Sequence, residues 1–175
     1  MRPDYTRIRA IAYDIDGVMT DGGIFCDSSG DLLRTYDAKD SFSVRMARMQ
    51  GYPVGIITGG ESRSITSRAE SCGIDPEDVY LKSANKLKDF KKFCERHSLS
   101  PDEVMYFGDD LPDVPVLEAC GIGVAPCDAC AEAKEAADVI SKFPGGKGCV
   151  RSAIEAALKS RGLWKLDIEE YERKY

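Results

Sequence analysis

The sequence predicts an α/β fold, a parallel sheet with helices on both faces, and three observations carry that prediction. Short apolar runs alternate with segments of helix length. The helix-length segments space their apolar residues three and four apart, as one buried helix face requires. The residues with reactive side chains follow directly on the ends of the apolar runs, where a parallel sheet opens its ligand-binding loops.

In order, the first strand candidate is Ile8 to Tyr13, which ends in Asp14-Ile15-Asp16-Gly17-Val18-Met19-Thr20-Asp21. The alternation then breaks between about residues 22 and 36. Ile24 to Cys26 and Leu32 to Tyr36 are β-prone and flank Asp27-Ser28-Ser29-Gly30-Asp31, a turn composition, so an inserted β-hairpin is expected. One helix precedes the next strand candidate, Val54 to Ile57. Glu61 to Cys72 puts Ile65, Ala69 and Cys72 on one stripe and is stopped by Gly73. After the strand candidate Val79 to Leu81, a helix over about Lys86 to His97 buries Leu87, Phe90 and Cys94. Val104 to Phe107, Ile122 to Val124 and Val139 to Ile140 complete the set. The tail, about residues 164 to 175, is highly charged and is expected to be poorly ordered.

With 175 residues and neither a repeat nor a linker, residues 1–175 read as a single domain. The 30 acidic against 24 basic residues, a formal charge of −6, argue against a nucleic-acid footprint. No apolar stretch approaches the ~20 residues that span a bilayer, and the polar N-terminus has no signal-peptide core, so no membrane partner and a cytoplasmic location are expected. Seven cysteines, an odd number lying in apolar runs, suit buried thiols in a reducing compartment. Cys127-Asp128-Ala129-Cys130 has no second pair and reads as incidental. His97, at a helix end, reads as a capping or surface residue.

The chemistry concentrates at the strand ends. Asp14 and Asp16 stand two residues apart, and Gly17 lets the chain turn away. Such close carboxylates repel unless a proton or a cation lies between them. Gly108-Asp109-Asp110-Leu111-Pro112-Asp113 brings three more carboxylates to the same sheet edge. An oxygen-only set without His or Cys favours a hard cation, Mg²⁺ first. Thr58, at the end of Val54–Ile57 and before Gly59-Gly60, offers a hydroxyl and backbone N–H groups to phosphate oxygens. Lys86 begins a helix, where the macrodipole disfavours a cation by up to about 1 kcal/mol, a conflict that a bound anion would remove.

The ordered set of Asp-x-Asp-Gly, Thr, Lys and Gly-Asp-Asp-x-x-Asp resembles the haloacid dehalogenase-like phosphatase superfamily over Ile8 to Val124. The resemblance implies a Rossmann-like fold and a Mg²⁺-dependent hydrolase of phosphate monoesters. Asp14 would be the nucleophile, forming an aspartyl phosphate, and Asp16 the acid/base. Asp14, the Asp16 carbonyl and Asp109 would hold the metal, with Asp110 and Asp113 supporting.

The intervals before Thr58 and after Lys86 are too short for a cap domain. With Thr20-Asp21-Gly22-Gly23, Asp37-Ala38-Lys39-Asp40, Asn85-Lys86-Leu87 and Gly145-Gly146-Lys147-Gly148, this is similar to the superfamily's capless tetrameric branch. That branch implies a homotetramer assembled through the hairpins, with active sites shared between subunits and the Gly-rich segment reaching a neighbouring site. Its expected substrate is a sugar-acid phosphate, 3-deoxy-D-manno-octulosonate (KDO) 8-phosphate, a lipopolysaccharide precursor. Gly59 and Arg68 would bind it, Arg68 gripping the carboxylate, with Lys39 of a neighbouring subunit as a second cation. Phosphatases for nine-carbon keto acids, such as 2-keto-3-deoxynononate 9-phosphate, are the alternative. They tend to carry an acidic residue where this chain has Gly60 and a basic one where it has Ser71. Leu81-Lys82-Ser83 departs from the Gln-Gly pair usual in the branch. A different class, phospho-aspartate receiver modules, also joins an acidic cluster, Mg²⁺, a Thr and a Lys. Its phosphorylated Asp lies on a later strand than the acidic pair and needs no second carboxylate two residues on.

Overall fold

The computed structural model describes residues 3–175. Six parallel strands form one sheet: β1 (Ala10–Tyr13), β4 (Val54–Ile57), β5 (Val79–Tyr80), β6 (Val104–Phe107), β7 (Ile122–Ala125) and β8 (Val139–Ile140), in the order β5-β4-β1-β6-β7-β8. β2 (Phe25–Cys26) and β3 (Leu32–Leu33) pair antiparallel as the inserted hairpin, with Phe25 opposite Leu33. The helices are α1 (Ala38–Met49), α2 (Arg63–Ser71), α3 (Lys86–Arg96), α4 (Val114–Leu117), α5 (Ala131–Ala136), α6 (Cys149–Ser160) and α7 (Ile168–Lys174). No cap domain stands between α1 and β4 or between α3 and β6.

The central strands are buried on both faces, which is why they read as continuous apolar runs. Alternate residues divide between two cores. Ile11, Tyr13, Val54, Ile56, Met105 and Phe107 pack with residues of α1 and α6, while Ala10, Ala12, Ile57, Val104 and Tyr106 pack with residues of α3 and α4. On the second face the small residues matter. A Cβ on Gly55 would lie 2.9 Å from the Phe93 ring, so Gly55 beside Ala10 and Ala12 lets α3 lie close to the sheet. Phe90 and Phe93 are fully buried there, each contributing about 1.5–3 kcal/mol by leaving water.

α3 starts where Asn85 accepts a hydrogen bond from the Lys88 N–H, and α1 where Asp37 accepts from the N–H groups of Lys39 and Asp40. The start of α6 is capped from a distance: buried Asp40, on α1, accepts from Gly148 N–H at 2.9 Å and Arg151 N–H at 2.6 Å.

Two expectations are corrected. The charged tail is not loose. Asp167 caps α7, whose Tyr171 accepts a hydrogen bond from Arg45 and packs on Phe42, while the hydroxyl of Tyr175 donates to the Cys72 carbonyl. Two tyrosines four residues apart give an otherwise charged helix one adhesive face. The thiols are also not uniformly buried, since Cys26 and Cys127 are exposed. Cys130 serves as the cap of α5, its sulfur accepting from Ala133 N–H. His97 ends α3 and hydrogen-bonds Asp78.

Candidate active site

β1 lies at the centre with β4 on one side and β6 on the other, and the strand order runs outward from it in both directions. The crevice at the carboxyl ends of these strands is where such sheets bind ligands. Asp14, Thr58 and Asp109, each placed by one of the three strands, line one pocket of about 520 Å³ together with Asp16, Gly17, Gly59, Gly60, Lys86 and Asp110.

The chain leaves β1 through Asp14 in extended backbone, and Ile15–Met19 then forms a tight turn with Gly17 at φ 85°. A Cβ on Gly17 would lie 2.0 Å from Asp109 Oδ2, so only glycine lets the two acidic loops meet. The Gly-rich segment expected to reach a neighbouring subunit packs on this turn of its own chain. Gly146 N–H donates to the Val18 carbonyl at 2.8 Å, and a Cβ on Gly145 would strike the Gly17 carbonyl.

Lys86 is the hub. Its ammonium donates to Asp14 Oδ2 at 2.9 Å and to Asp113 Oδ1 at 2.7 Å, with only 5% of its side chain exposed. Burial opposes its charge, yet Asp14 and Asp113 prevail and raise its pKa. The fully buried Asp113 is already committed: Oδ1 also accepts from the Tyr106 hydroxyl, and Oδ2 from the N–H groups of Asp109 and Asp110. It therefore fixes the turn and Lys86. Asp110 is exposed and accepts from Leu111 N–H.

Two buried carboxylate oxygens, Asp14 Oδ1 and Asp109 Oδ1, have no donor among the described residues. Asp14, Asp109 and Asp113 bring ligand oxygens within 4.8 Å of one another. Burial pushes the Asp14 carboxyl up to about 6 against the pull of Lys86, and burial with the charges of Asp14 and Asp113 pushes Asp109 up to about 7. An all-oxygen set with two orphaned acceptors fits a hard divalent cation. Because both carboxyls are raised above the ordinary 3.8, they contribute stability to the metal-free protein that is present below that value and is lost as the pH rises through 6 to 7. A divalent cation needs them deprotonated. Millimolar Mg²⁺ is therefore expected to raise Tm at about pH 8 and to do little at about pH 5. An equal rise at both would remove this pair as its ligands.

Thr58 is buried at the end of β4. Its hydroxyl oxygen accepts from Gly60 N–H at 3.2 Å, which leaves its proton to donate, and Gly59 faces open space. Lys82, at φ 50°, is exposed and ion-paired to Glu61. Arg68 does not line the pocket; it is half-buried over the Tyr36 ring, 5.4 Å away, with its Nε lacking a partner. Ser71 also lies outside the pocket lining, and Lys39 is exposed on the first turn of α1.

The cation on Asp16 was not expected. Arg34, next after β3, places its Nε 2.6 Å from Asp16 Oδ1 and one terminal nitrogen 2.9 Å from Asp16 Oδ2, with 1% of its side chain exposed. Its other terminal nitrogen donates to Ser62 Oγ and the Leu32 carbonyl. Only the strand alternation, Leu33 outward and Arg34 inward, hints at this in the sequence.

The chain is similar to known proteins over most of its length. Residues 61–150 match the family model of haloacid dehalogenase-like hydrolases. The chain is 35% identical over 160 residues, 91% of its length and 83% of the relative's, to the 3-deoxy-D-manno-octulosonate 8-phosphate phosphatase KdsC of Escherichia coli strain K12. A solved structure of the phosphatase of that name from Yersinia pestis superposes with a TM-score of 0.86 at 30% identity, covering 90% of this chain and 84% of that one. The Moraxella catarrhalis phosphatase, solved with magnesium ion, phosphate ion and KDO, superposes with a TM-score of 0.85 at 28% identity, covering 89% and 88%.

Proposed function

The chain belongs to the haloacid dehalogenase-like hydrolases, and we propose that within them it is a Mg²⁺-dependent phosphatase that hydrolyses KDO 8-phosphate to KDO and phosphate. The observation that carries the reading is the orphaned oxygen pair of Asp14 and Asp109 beside Lys86, at the strand ends of a capless sheet. The relatives' substrate supports the sugar acid, as do Gly60 and Ser71, which lack the acidic and basic side chains that nine-carbon enzymes tend to carry there.

Asp14 attacks phosphorus and displaces the sugar alkoxide, which takes a proton from Asp16. Asp16 then deprotonates the water that attacks the aspartyl phosphate, releasing phosphate and regenerating Asp14. Lys86 and the Thr58 hydroxyl, with the backbone at Gly59, hold the phosphoryl oxygens. Asp14, the Asp16 carbonyl and Asp109 would hold Mg²⁺, which when bound offsets the repulsion between carboxylates and phosphoryl group. Asp113 and Asp110 keep Lys86 and the second acidic loop in place.

The proposal extends to a single domain over residues 1–175, acting as a cytoplasmic homotetramer. All seven cysteines are free, as suits a reducing compartment. The hairpin exposes Ile24, Phe25 and Leu33, with Phe25 67% exposed, an apolar surface that a neighbouring subunit would cover. Arg68 and a neighbour's Lys39 remain the proposed partners of the substrate carboxylate, and Arg68 would have to leave Tyr36 to act.

Steady-state hydrolysis of KDO 8-phosphate, the nine-carbon 9-phosphate and simple sugar phosphates with Mg²⁺ tests the substrate. The expected result is the highest kcat/KM on KDO 8-phosphate, with activity lost on dilution to monomer. No advantage for that substrate would overturn the assignment, and a fully active monomer would overturn the shared lid.

A further inference from the structure

We propose that Arg34 is a positioning residue for Asp16, and that Gly60 is the gap in the wall of the site that admits it. The inference rests on the reading of Asp16 as the acid/base. The guanidinium meets both carboxylate oxygens of Asp16 side by side, at 2.6 and 2.9 Å, and its remaining edge is held by Ser62 Oγ and the Leu32 carbonyl at 2.9 and 3.1 Å. A fork gripped on both edges leaves the carboxylate one orientation, which a lysine's single ammonium does not do.

Gly60 is what makes the room. A Cβ there would lie 2.9 Å from the terminal nitrogen of Arg34 and 3.4 Å from Asp16 Oδ2. Any side chain at position 60 pushes against the fork or displaces it. Asp16 itself sits in non-helical backbone beside Gly17, so the turn leaves its side chain to be fixed from outside. The inward-facing residue after β3 provides that fixing, which ties the hairpin to the chemistry.

The test combines Arg34→Ala, Arg34→Lys, Gly60→Val and the double variant Arg34→Ala/Gly60→Val, assayed with Mg²⁺ on p-nitrophenyl phosphate as well as on KDO 8-phosphate. The aryl ester reads the site whichever sugar acid is the natural substrate. If wild-type protein turns over the aryl ester but not KDO 8-phosphate, the substrate assignment fails and the role of Arg34 is still read.

Arg34→Ala is expected to lower kcat about 10- to 100-fold with KM little changed, as misplacement of a reacting group does. Gly60→Val should reproduce that loss, and the double variant should be no worse than Arg34→Ala alone. Added guanidinium should restore part of the kcat of Arg34→Ala, and Arg34→Lys should remain impaired. Wild-type kcat in Arg34→Ala, a rise in KM alone, or additive losses in the double variant would each overturn the proposal. Should Arg34→Ala fail to fold, Arg34→Lys and Gly60→Val decide: unchanged kcat in both overturns it, and reduced kcat at unchanged KM in both supports it.

Discussion

Asp14→Asn is expected to reduce turnover by about 10⁴-fold or more while the protein stays folded. Asparagine keeps the shape of the side chain and removes the attacking oxygen anion. The folded protein does not need the charge. Burial has already pushed the Asp14 carboxyl up to about 6, so above that pH its ionised form costs stability. The variant should therefore melt no lower than wild type in the absence of metal at about pH 8, and its response to Mg²⁺ should weaken because one of the two orphaned oxygens is lost. Steady-state rates and thermal melts with and without Mg²⁺ read both effects. Retained turnover would remove Asp14 as the nucleophile.

Lys86→Met should damage both function and fold. Methionine fills the same volume without the charge, and Asp14 and Asp113 then share a buried site with no cation between them. Breaking a buried ion pair by removing one partner costs about 3–5 kcal/mol, and about 1 kcal/mol moves Tm by ~2–4 °C in a domain of this size. A fall in Tm of at least about 6 °C is expected near pH 8. Near pH 5 it should be smaller, because Asp14 then takes up a proton instead of demanding a partner. kcat should drop by about 10²–10³-fold through loss of charge stabilisation at the phosphoryl group. A pH-independent Tm loss would mean that packing, not charge, is what Lys86 supplies.

Much of the fold was legible along the chain. Buried parallel strands read as apolar runs, and the runs at Val54–Ile57, Val104–Phe107 and Val139–Ile140 coincide with β4, β6 and β8. The hairpin was legible from its turn composition, although its paired ladder is only two residues per strand. The charged tail misled because charge density says nothing of two tyrosines that find a groove beside Arg45 and Cys72. Asp40 was also opaque: its role as the cap of α6 joins residues more than a hundred positions apart.

The candidate site divides in the same way. Asp14, Asp16, Thr58, Lys86, Asp109 and Asp113 follow strand ends or open a helix, and a parallel sheet gathers strand ends at one edge. The sequence by itself therefore determined which residues meet and the class of ion they suit. Only the tertiary structure decided which buried oxygens remain free: Asp113 is consumed by Tyr106, Lys86 and two backbone N–H groups, whereas Asp14 and Asp109 each keep a buried orphaned acceptor. It also decided which arginine enters, placing Arg34 on Asp16 and Arg68 against Tyr36. The physical reason is that spacing along a strand sets which way a side chain points, while hydrogen-bond partners and the space to receive a guanidinium belong to segments that only packing brings together.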